Sequence, residues 1–251
     1  MTRRVTFAIQ KGGVGKTTST VSVAETLAEA GYRVLVVDFD SQGNATKMLT
    51  RRSIYDFTGR TIMDAVRHND AAAHIVNAKD NLDLIPAEDH LAGFSRHIYT
   101  QKINNPFQVL QRLLEPVERN YDFVFIDVGP SLGDLMINAM VYVDQIYIPV
   151  DAGDLALDAM IRFMEFVDES RAEGHTNAVI AGVVLTMRDS RSKYEREISD
   201  GLRETFGDLV MKTEVRRLVK IKEMSSYGVD VEKIADYIDL TEELLGKGNK
   251  E

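Results

Sequence analysis

Residues 11–18, Lys-Gly-Gly-Val-Gly-Lys-Thr-Thr, have the composition needed to hold a phosphate group. They follow an apolar run at 5–9 and precede a helical pattern. Glycines let backbone N–H groups turn inward around phosphate oxygens, and a helix N-terminus adds partial positive charge. Lys16 would contact the β- and γ-phosphates, and the Thr17 hydroxyl would ligate Mg²⁺. We therefore predict a site for a nucleoside triphosphate with magnesium, formed by Lys11, Gly12, Gly13, Val14, Gly15, Lys16, Thr17 and Thr18.

Three carboxylates stand at the ends of two other apolar runs. Asp38 and Asp40 close the run that begins at residue 34, and Asp127 closes the run 123–127. Open parallel sheets bind ligands at the carboxyl ends of their strands, so all three should face the nucleotide. The pattern at Asp127 is the Walker B arrangement, in which the carboxylate holds magnesium, usually through water.

The elements that position these residues alternate along the chain. Apolar runs without polar alternation, separated by helical patterns, predict an α/β fold. We expect a doubly wound, mostly parallel sheet with helices on both faces, as in P-loop NTPases. The predicted strands are 5–9, 34–38, 82–86, 123–127, 145–150 and 179–185, and the predicted helices are 17–30, 107–118, 156–172, 195–206 and 231–245. The polar stretch 50–73 is interpreted as a helical excursion over the nucleotide.

Composition limits the possible functions. The chain has 251 residues, no cysteine and a formal net charge of −9. We expect one domain over 1–251 with a frayed tail at 246–251. The absence of cysteine excludes disulfides, thiolate metal sites and cysteine nucleophiles, and suits a reducing cytoplasm. No apolar stretch approaches the roughly 20 residues needed to span a bilayer.

The loop departs from the plain phosphate-binding pattern at its start. Gln10 stands where that pattern has glycine, and Lys11 follows it. In this the segment resembles the deviant Walker A loop of the ParA/MinD family of P-loop ATPases. The resemblance implies ATP and Mg²⁺ as cofactors. It also implies a homodimer with ATP between the subunits, in which Lys11 reaches across the interface to the partner's phosphates.

The resemblance assigns further roles. Lys11, Lys16 and Asp40 would be the catalytic residues, with Asp40 positioning or activating the attacking water. The metal would be bound through Thr17, Asp127 and Asp38. Residues 182–187 match a family strand whose following loop lies near adenine, which places Met187 by the base. This chain has Ser41 and Gly129 where the family usually has proline, and Arg216 and Met224-Ser225 also depart from the family pattern.

Members of this family differ in what they bind. Without cysteines, the chain is excluded from the nitrogenase iron proteins, iron–sulfur carriers and arsenite-pump ATPases. A ParA-like partition ATPase, a MinD-like membrane switch and a ParA-type ATPase that positions a protein assembly remain. The Gln42-Gly43-Asn44 segment favours ParA. The predicted DNA contacts are Arg188, Arg216, Arg217, Lys220 and Lys222.

The 231–245 helix would be the membrane anchor of a MinD-like protein. Its apolar stripe consists of Val231, Ile234, Ile238 and Leu245, but its polar face is mostly acidic, which anionic lipid would repel. We therefore expect a core-packed helix and no membrane contact.

The ParA resemblance implies a cytoplasmic, nucleoid-associated protein with weak intrinsic turnover. It would bind double-stranded DNA non-specifically in its ATP-bound dimer. A centromere-binding or cargo adaptor protein would stimulate hydrolysis. The chain begins at its first strand, so we expect no N-terminal helix-turn-helix and no operator recognition.

Overall fold

A computed structural model describes residues 1–151, 154–189, 191–217 and 234–247. In these residues one sheet has the strand order β3-β4-β2-β5-β1-β6-β7-β8. The strands are β1 (Arg3–Phe7), β2 (Val34–Phe39), β3 (Val76–Lys79), β4 (Leu82–Ile85), β5 (Phe123–Val128), β6 (Gln145–Asp151), β7 (Val179–Arg188) and β8 (Val210–Arg216).

Helices connect these strands. They are α1 (Lys16–Glu29), α2 (Asn44–Thr50), α3 (Ile62–His68), α4 (Phe94–Thr100), α5 (Val109–Glu118), α6 (Asp134–Tyr142), α7 (Asp154–Ala172), α8 (Lys193–Phe206) and α9 (Ala235–Lys247). Neighbouring strands are parallel except β3 and β4, which are antiparallel. The predicted doubly wound sheet is confirmed.

The sheet is covered on both faces. One apolar core includes side chains from α3 to α8, and the other includes side chains from α1, α2 and α9. Every residue of β2 and β5 is buried, as expected for central strands of a parallel sheet. In α1, Val21, Ala24, Leu27 and Ala28 form the buried side, and Gly31 follows the helix with a φ of +90°.

The polar stretch at 50–73 contains the helix α3, which packs into the core. Its helix α3 begins at a capping box formed by Thr61 and Asp64. The next apolar residues, Ile62, Met63 and Val66, are buried in the core. The predicted helix in this stretch therefore packs against the sheet, and its placement over the nucleotide stays a prediction.

The terminal helix packs into the core as expected, and of the predicted stripe Ile234 and Leu245 take part in the packing. Ile234, Tyr237, Leu240 and Leu244 are buried, whereas Ile238 is 36% exposed. The Tyr237 hydroxyl lies 3.4 Å from the Ser19 hydroxyl of α1. Val231 lies outside the described residues. In the part of the chain that the structure describes, no helix is both long and apolar enough to cross a membrane.

Candidate functional site

Strand register brings the predicted site residues together. In the sheet, Asp38 of β2 is the partner of Asp127 of β5, and Asp127 is the partner of Phe7 at the end of β1. The phosphate loop begins at Lys11, four residues after Phe7. Because the three strands are adjacent and parallel, their carboxyl ends deliver the loop and both carboxylates to one edge of the sheet.

The loop has the backbone that its glycines permit. Gly13 has a φ of +76° and Gly15 has a φ of +89°, and Gly15 precedes the first residue of α1. A side chain is strained at such angles, so glycine is needed at both positions. The N-terminus of α1 therefore opens directly onto the loop, where its free N–H groups favour an anion.

Lys16 is held inside the loop. The residue is 7% exposed, and its ammonium donates to the Lys11 carbonyl at 2.6 Å. Burial lowers the pKa of Lys16, while the Asp127 and Asp40 carboxylates oppose that effect. A positioned cation that has already lost most of its hydration is suited to pair with a phosphate.

Asp127 fits a divalent cation. It is completely buried, and neither carboxylate oxygen has a hydrogen-bond partner. Burial and the neighbouring Asp38 raise its pKa well above the usual range. The Thr17 hydroxyl lies nearby without a well-formed hydrogen bond, and together with Lys16 it offsets the rise only in part. A buried carboxylate without donors is costly unless a positive charge approaches it. Thr17 and Asp127 would hold Mg²⁺, which would neutralise phosphate charge when bound.

Asp38 has structural partners of its own. One carboxylate oxygen accepts from the Thr46 N–H at 2.8 Å and the Thr46 hydroxyl at 2.6 Å, and the other accepts from the Asp40 N–H at 3.3 Å. Thr46 in turn accepts from the Ala87 N–H after β4. Asp38 thus connects α2 and the segment after β4 to the end of β2. Its role in binding the metal stays a prediction.

Asp40 lies close to Gly129, the residue that replaces the family's usual proline. It is half-buried, and a Cβ built on Gly129 would lie 3.2 Å from its carboxylate. The opposing loops after β2 and β5 therefore touch at these two residues. Asp40 remains reachable by water, as a water-positioning residue must be.

Gly43 allows the turn after Asp40 to close. It has a φ of +59°, and a Cβ there would lie 2.9 Å from the Ala87 carbonyl. Only glycine fits this close approach without displacing backbone. The Gln42-Gly43-Asn44 segment, which the sequence analysis linked to ParA, thus shapes the turn that carries Asp40.

Comparison with known proteins identifies the family. A family model described as an AAA domain matches residues 2–180. The Sporulation initiation inhibitor protein Soj of Bacillus subtilis is 34% identical over 99% of this chain and 100% of its own length. The Chromosome-partitioning ATPase Soj of Treponema pallidum is 33% identical over 92% of this chain and 89% of its own. This chain belongs to the ParA-like partition ATPases.

Solved structures agree with the fold. A putative plasmid partition protein from Borrelia burgdorferi bound to AMPPNP has a TM-score of 0.82 and 26% identity, covering 98% of both chains. A cobyrinic acid a,c-diamide synthase from Mycobacterium smegmatis with ADP and magnesium has a TM-score of 0.85 and 25% identity, covering 100% of this chain and 96% of that one. Both likenesses extend over the whole fold of this ParA-like chain.

The lysine that distinguishes the ParA-like loop has a partner within its own chain. The Lys11 ammonium contacts the Asp151 carboxylate at 2.7 Å, at the end of β6. Both side chains are about a quarter to a third exposed, at 26% and 30%. Ion pairs this exposed contribute roughly 0–1 kcal/mol, so Lys11 can exchange Asp151 for a phosphate at little cost. Its reach into a second subunit stays a prediction.

Thr186 is a site residue that the sequence analysis did not single out. Its hydroxyl donates to the Val14 carbonyl at 2.9 Å, which ties the phosphate loop of this ParA-like chain to β7. Next to it, Met187 has a φ of +54°, in a part of β7 where the register with β8 shifts. The position of Met187 relative to adenine stays a prediction.

We expect Thr186→Val to weaken nucleotide binding about tenfold, because the Val14 carbonyl loses its buried donor and the loop loses its tether. Isothermal titration with ATP measures this. Thr176→Val is the matched control, since Thr176 donates to the Met140 carbonyl in a buried setting far along the chain from the loop. An equal loss of affinity in both variants would show that Thr186 acts only through stability.

The predicted DNA contacts differ in their exposure and in their ion-pair partners. Arg188 is 4% exposed, and its guanidinium pairs with Glu195 at 3.2 Å and Glu214 at 3.0 Å. A buried arginine with two carboxylate partners cannot bind a phosphate without breaking both ion pairs. The structure therefore contradicts the prediction that Arg188 contacts DNA. Arg216 is paired with Asp236 at 2.6 Å.

Arg217 is exposed and stays a candidate. Lys220 and Lys222 lie outside the described residues. The described structure therefore leaves one exposed arginine of the predicted set available to DNA without breaking an ion pair of its own.

Proposed function

We propose that this chain is an ATPase that dimerises around ATP and takes part in partitioning a plasmid or chromosome. Its ATP-bound dimer would bind nucleoid DNA without sequence preference, and a cargo-bound adaptor would stimulate its weak hydrolysis. The observation that carries the proposal is the convergence of Lys16, Asp40 and Asp127 on one loop that also bears Lys11. Full-length similarity to chromosome-partitioning ATPases supports it.

The geometry supports hydrolysis in three parts. The loop and Lys16 bind and orient the phosphates, Asp127 with Thr17 suits magnesium, and Asp40 can orient water. Among the described residues, the second lysine of the loop, Lys11, pairs with Asp151 of its own chain in a partly exposed ion pair that is easily exchanged. Supply of the partner's Lys11 on dimerisation would add its charge and couple hydrolysis to assembly.

A membrane role is disfavoured by α9. Its apolar side chains Tyr237, Leu240 and Leu244 are buried against the sheet, so they are not available to insert into lipid. Asp236, Asp239, Glu242 and Glu243 are distributed along the same helix. Anionic lipid would repel such a helix.

DNA co-sedimentation tests the proposed function. We expect retention on random-sequence duplex DNA with ATP, and much less with ADP or without nucleotide. The double variant Arg217→Ala with Lys220→Ala should bind DNA more weakly and with a smaller salt dependence, while its affinity for ATP stays unchanged. Equal retention in all three nucleotide conditions would contradict an ATP-dependent DNA-binding dimer.

A further inference from the structure

One segment of this acidic protein carries no acidic residue. The chain has 39 aspartates and glutamates among 251 residues, yet none occurs between residues 90 and 114. The same segment contains Arg96, Lys102 and Arg112, together with His90 and His97. Such a local excess of positive charge in a chain of net charge −9 indicates a surface that binds a negatively charged partner.

The fold gathers these residues onto one surface. Two adjoining cavities of about 720 and 350 Å³ share Arg67 of α3 and His97 and Gln101 at α4. Arg96 lines the first cavity, and Arg112 of α5 lines the second. Lys102 follows Gln101 in the chain. We call this the α3–α4–α5 basic surface; it comprises Arg67, Arg96, His97 and Arg112, which line the cavities, and the exposed Lys102, which borders them.

Three of its four arginine and lysine side chains have no carboxylate partner among the described residues. Arg96 and Lys102 are exposed, and their side chains make no ion pair or hydrogen bond with any described residue. Arg112 only approaches the Asn105 carbonyl, at 3.4 Å. Arg67 contacts Asp64 at 3.3 Å, but that carboxylate is also engaged by the Thr61 hydroxyl and N–H.

The acidic residue that lines the first cavity is already engaged. Asp89 lines the first cavity and accepts a hydrogen bond from the Tyr55 hydroxyl at 2.7 Å. The unpaired cations of the surface therefore outnumber the carboxylates that face them. Exposed arginine and lysine side chains without carboxylate partners are the groups that contact phosphates in nucleic-acid complexes.

The lining favours nucleic acid over an acidic protein. Thr100 and Gln101 add side-chain donors of the kind that bind phosphate and sugar oxygens. Exposed apolar side chains, which form the centre of a protein interface, are few in the first cavity, whose apolar members include the buried Met63. We infer that the α3–α4–α5 basic surface binds the phosphate backbone of nucleic acid, as a contact area separate from Arg217 and the residues after it.

This inference rests on the proposed function. The helix α4 connects the basic surface to the nucleotide site. Phe94 of α4 packs edge-to-face on Phe39, next to Asp40, with ring centroids 5.4 Å apart. The Tyr99 hydroxyl donates to Asp134 at 2.9 Å, where the loop after Asp127 enters α6. The helix that carries Arg96 is thus attached to both loops that face the nucleotide.

The test compares two triple variants that remove the same charge. One is Arg96→Ala, Lys102→Ala and Arg112→Ala. The control is Arg119→Ala, Arg162→Ala and Arg171→Ala, three exposed arginines without an ion pair to any described residue. Binding of a fluorescent random-sequence duplex is measured with ATP and magnesium over a range of salt concentrations, and ATP affinity and thermal midpoint verify folding.

We expect the first variant to lose about one unit of salt slope for each phosphate contact removed, and affinity on the order of a hundredfold in about 0.1 M salt. The control should keep the wild-type slope. Equal losses in both variants would overturn the inference, because the effect would then come from net charge.

Two further outcomes separate the claims. If the first variant binds like wild type while Arg217→Ala with Lys220→Ala loses DNA, the inference is wrong and the proposed function stands. If wild type binds poly-glutamate through this surface but not DNA, both the inference and the DNA part of the proposed function are overturned.

Discussion

Lys16→Ala is expected to abolish ATP binding. The ammonium is buried, held by the Lys11 carbonyl at 2.6 Å and aimed into the loop, so no other group can replace it at the phosphates. Truncating one partner of a buried charge pair costs about 2–5 kcal/mol, which is roughly 30- to several-thousand-fold in affinity. Isothermal titration with ATP and magnesium measures the loss.

The variant should fold, because alanine is a strong helix former at the start of α1. Lys193→Ala is a suitable control, since Lys193 is an exposed residue of α8 whose ion pair with Glu197 joins positions four apart on one helix. It should bind ATP like wild type. Tight ATP binding by Lys16→Ala would show that the loop does not hold the phosphates as described.

Asp40→Ala is expected to separate ATP binding from hydrolysis. The carboxylate is half-buried beside Gly129 and is not needed to hold the phosphates, so affinity should change little. Loss of a water-positioning or basic group lowers turnover by about 10²- to 10⁴-fold. The ATP-bound dimer should then accumulate, which light scattering after gel filtration detects, and phosphate release gives the rate.

Gly129→Ala tests the position of Asp40 without removing it. Its Cβ would lie 3.2 Å from the carboxylate, so Asp40 must shift by a few tenths of an ångström. We expect a smaller loss of turnover than in Asp40→Ala, with ATP affinity retained. Asp56→Ala removes an exposed carboxylate elsewhere and serves as the control. Unchanged hydrolysis in Asp40→Ala would remove this residue from the mechanism.

Local sequence was sufficient for the strong elements. The central strands are continuous apolar runs, and their predicted cores at 34–38 and 123–127 lie within β2 and β5. Because both faces of these strands are buried, their sequences show no alternation of polar and apolar residues and are easily assigned as strands. The glycines at 13 and 15 likewise specify a backbone that other residues avoid.

Edge strands and short helices were missed. β3 has four residues, and β8, at the end of the sheet, mixes buried, half-buried and exposed positions without a regular alternation. Charged residues such as Lys212 and Arg216 made the β8 segment resemble a basic surface patch. Helices α2, α3 and α4 have seven residues each, too few for a clear helical period.

The sequence by itself determined the chemistry of the phosphate loop, because the glycines, Lys16 and Thr17 are consecutive and local backbone geometry positions them. Only the tertiary structure decided which distant groups meet. It placed Thr186 on Val14 and Lys11 on Asp151, and it buried Arg188 between two carboxylates. It also gathered cations from three helices onto one surface. Such contacts depend on strand register and side-chain packing across the fold, and a linear pattern does not record them.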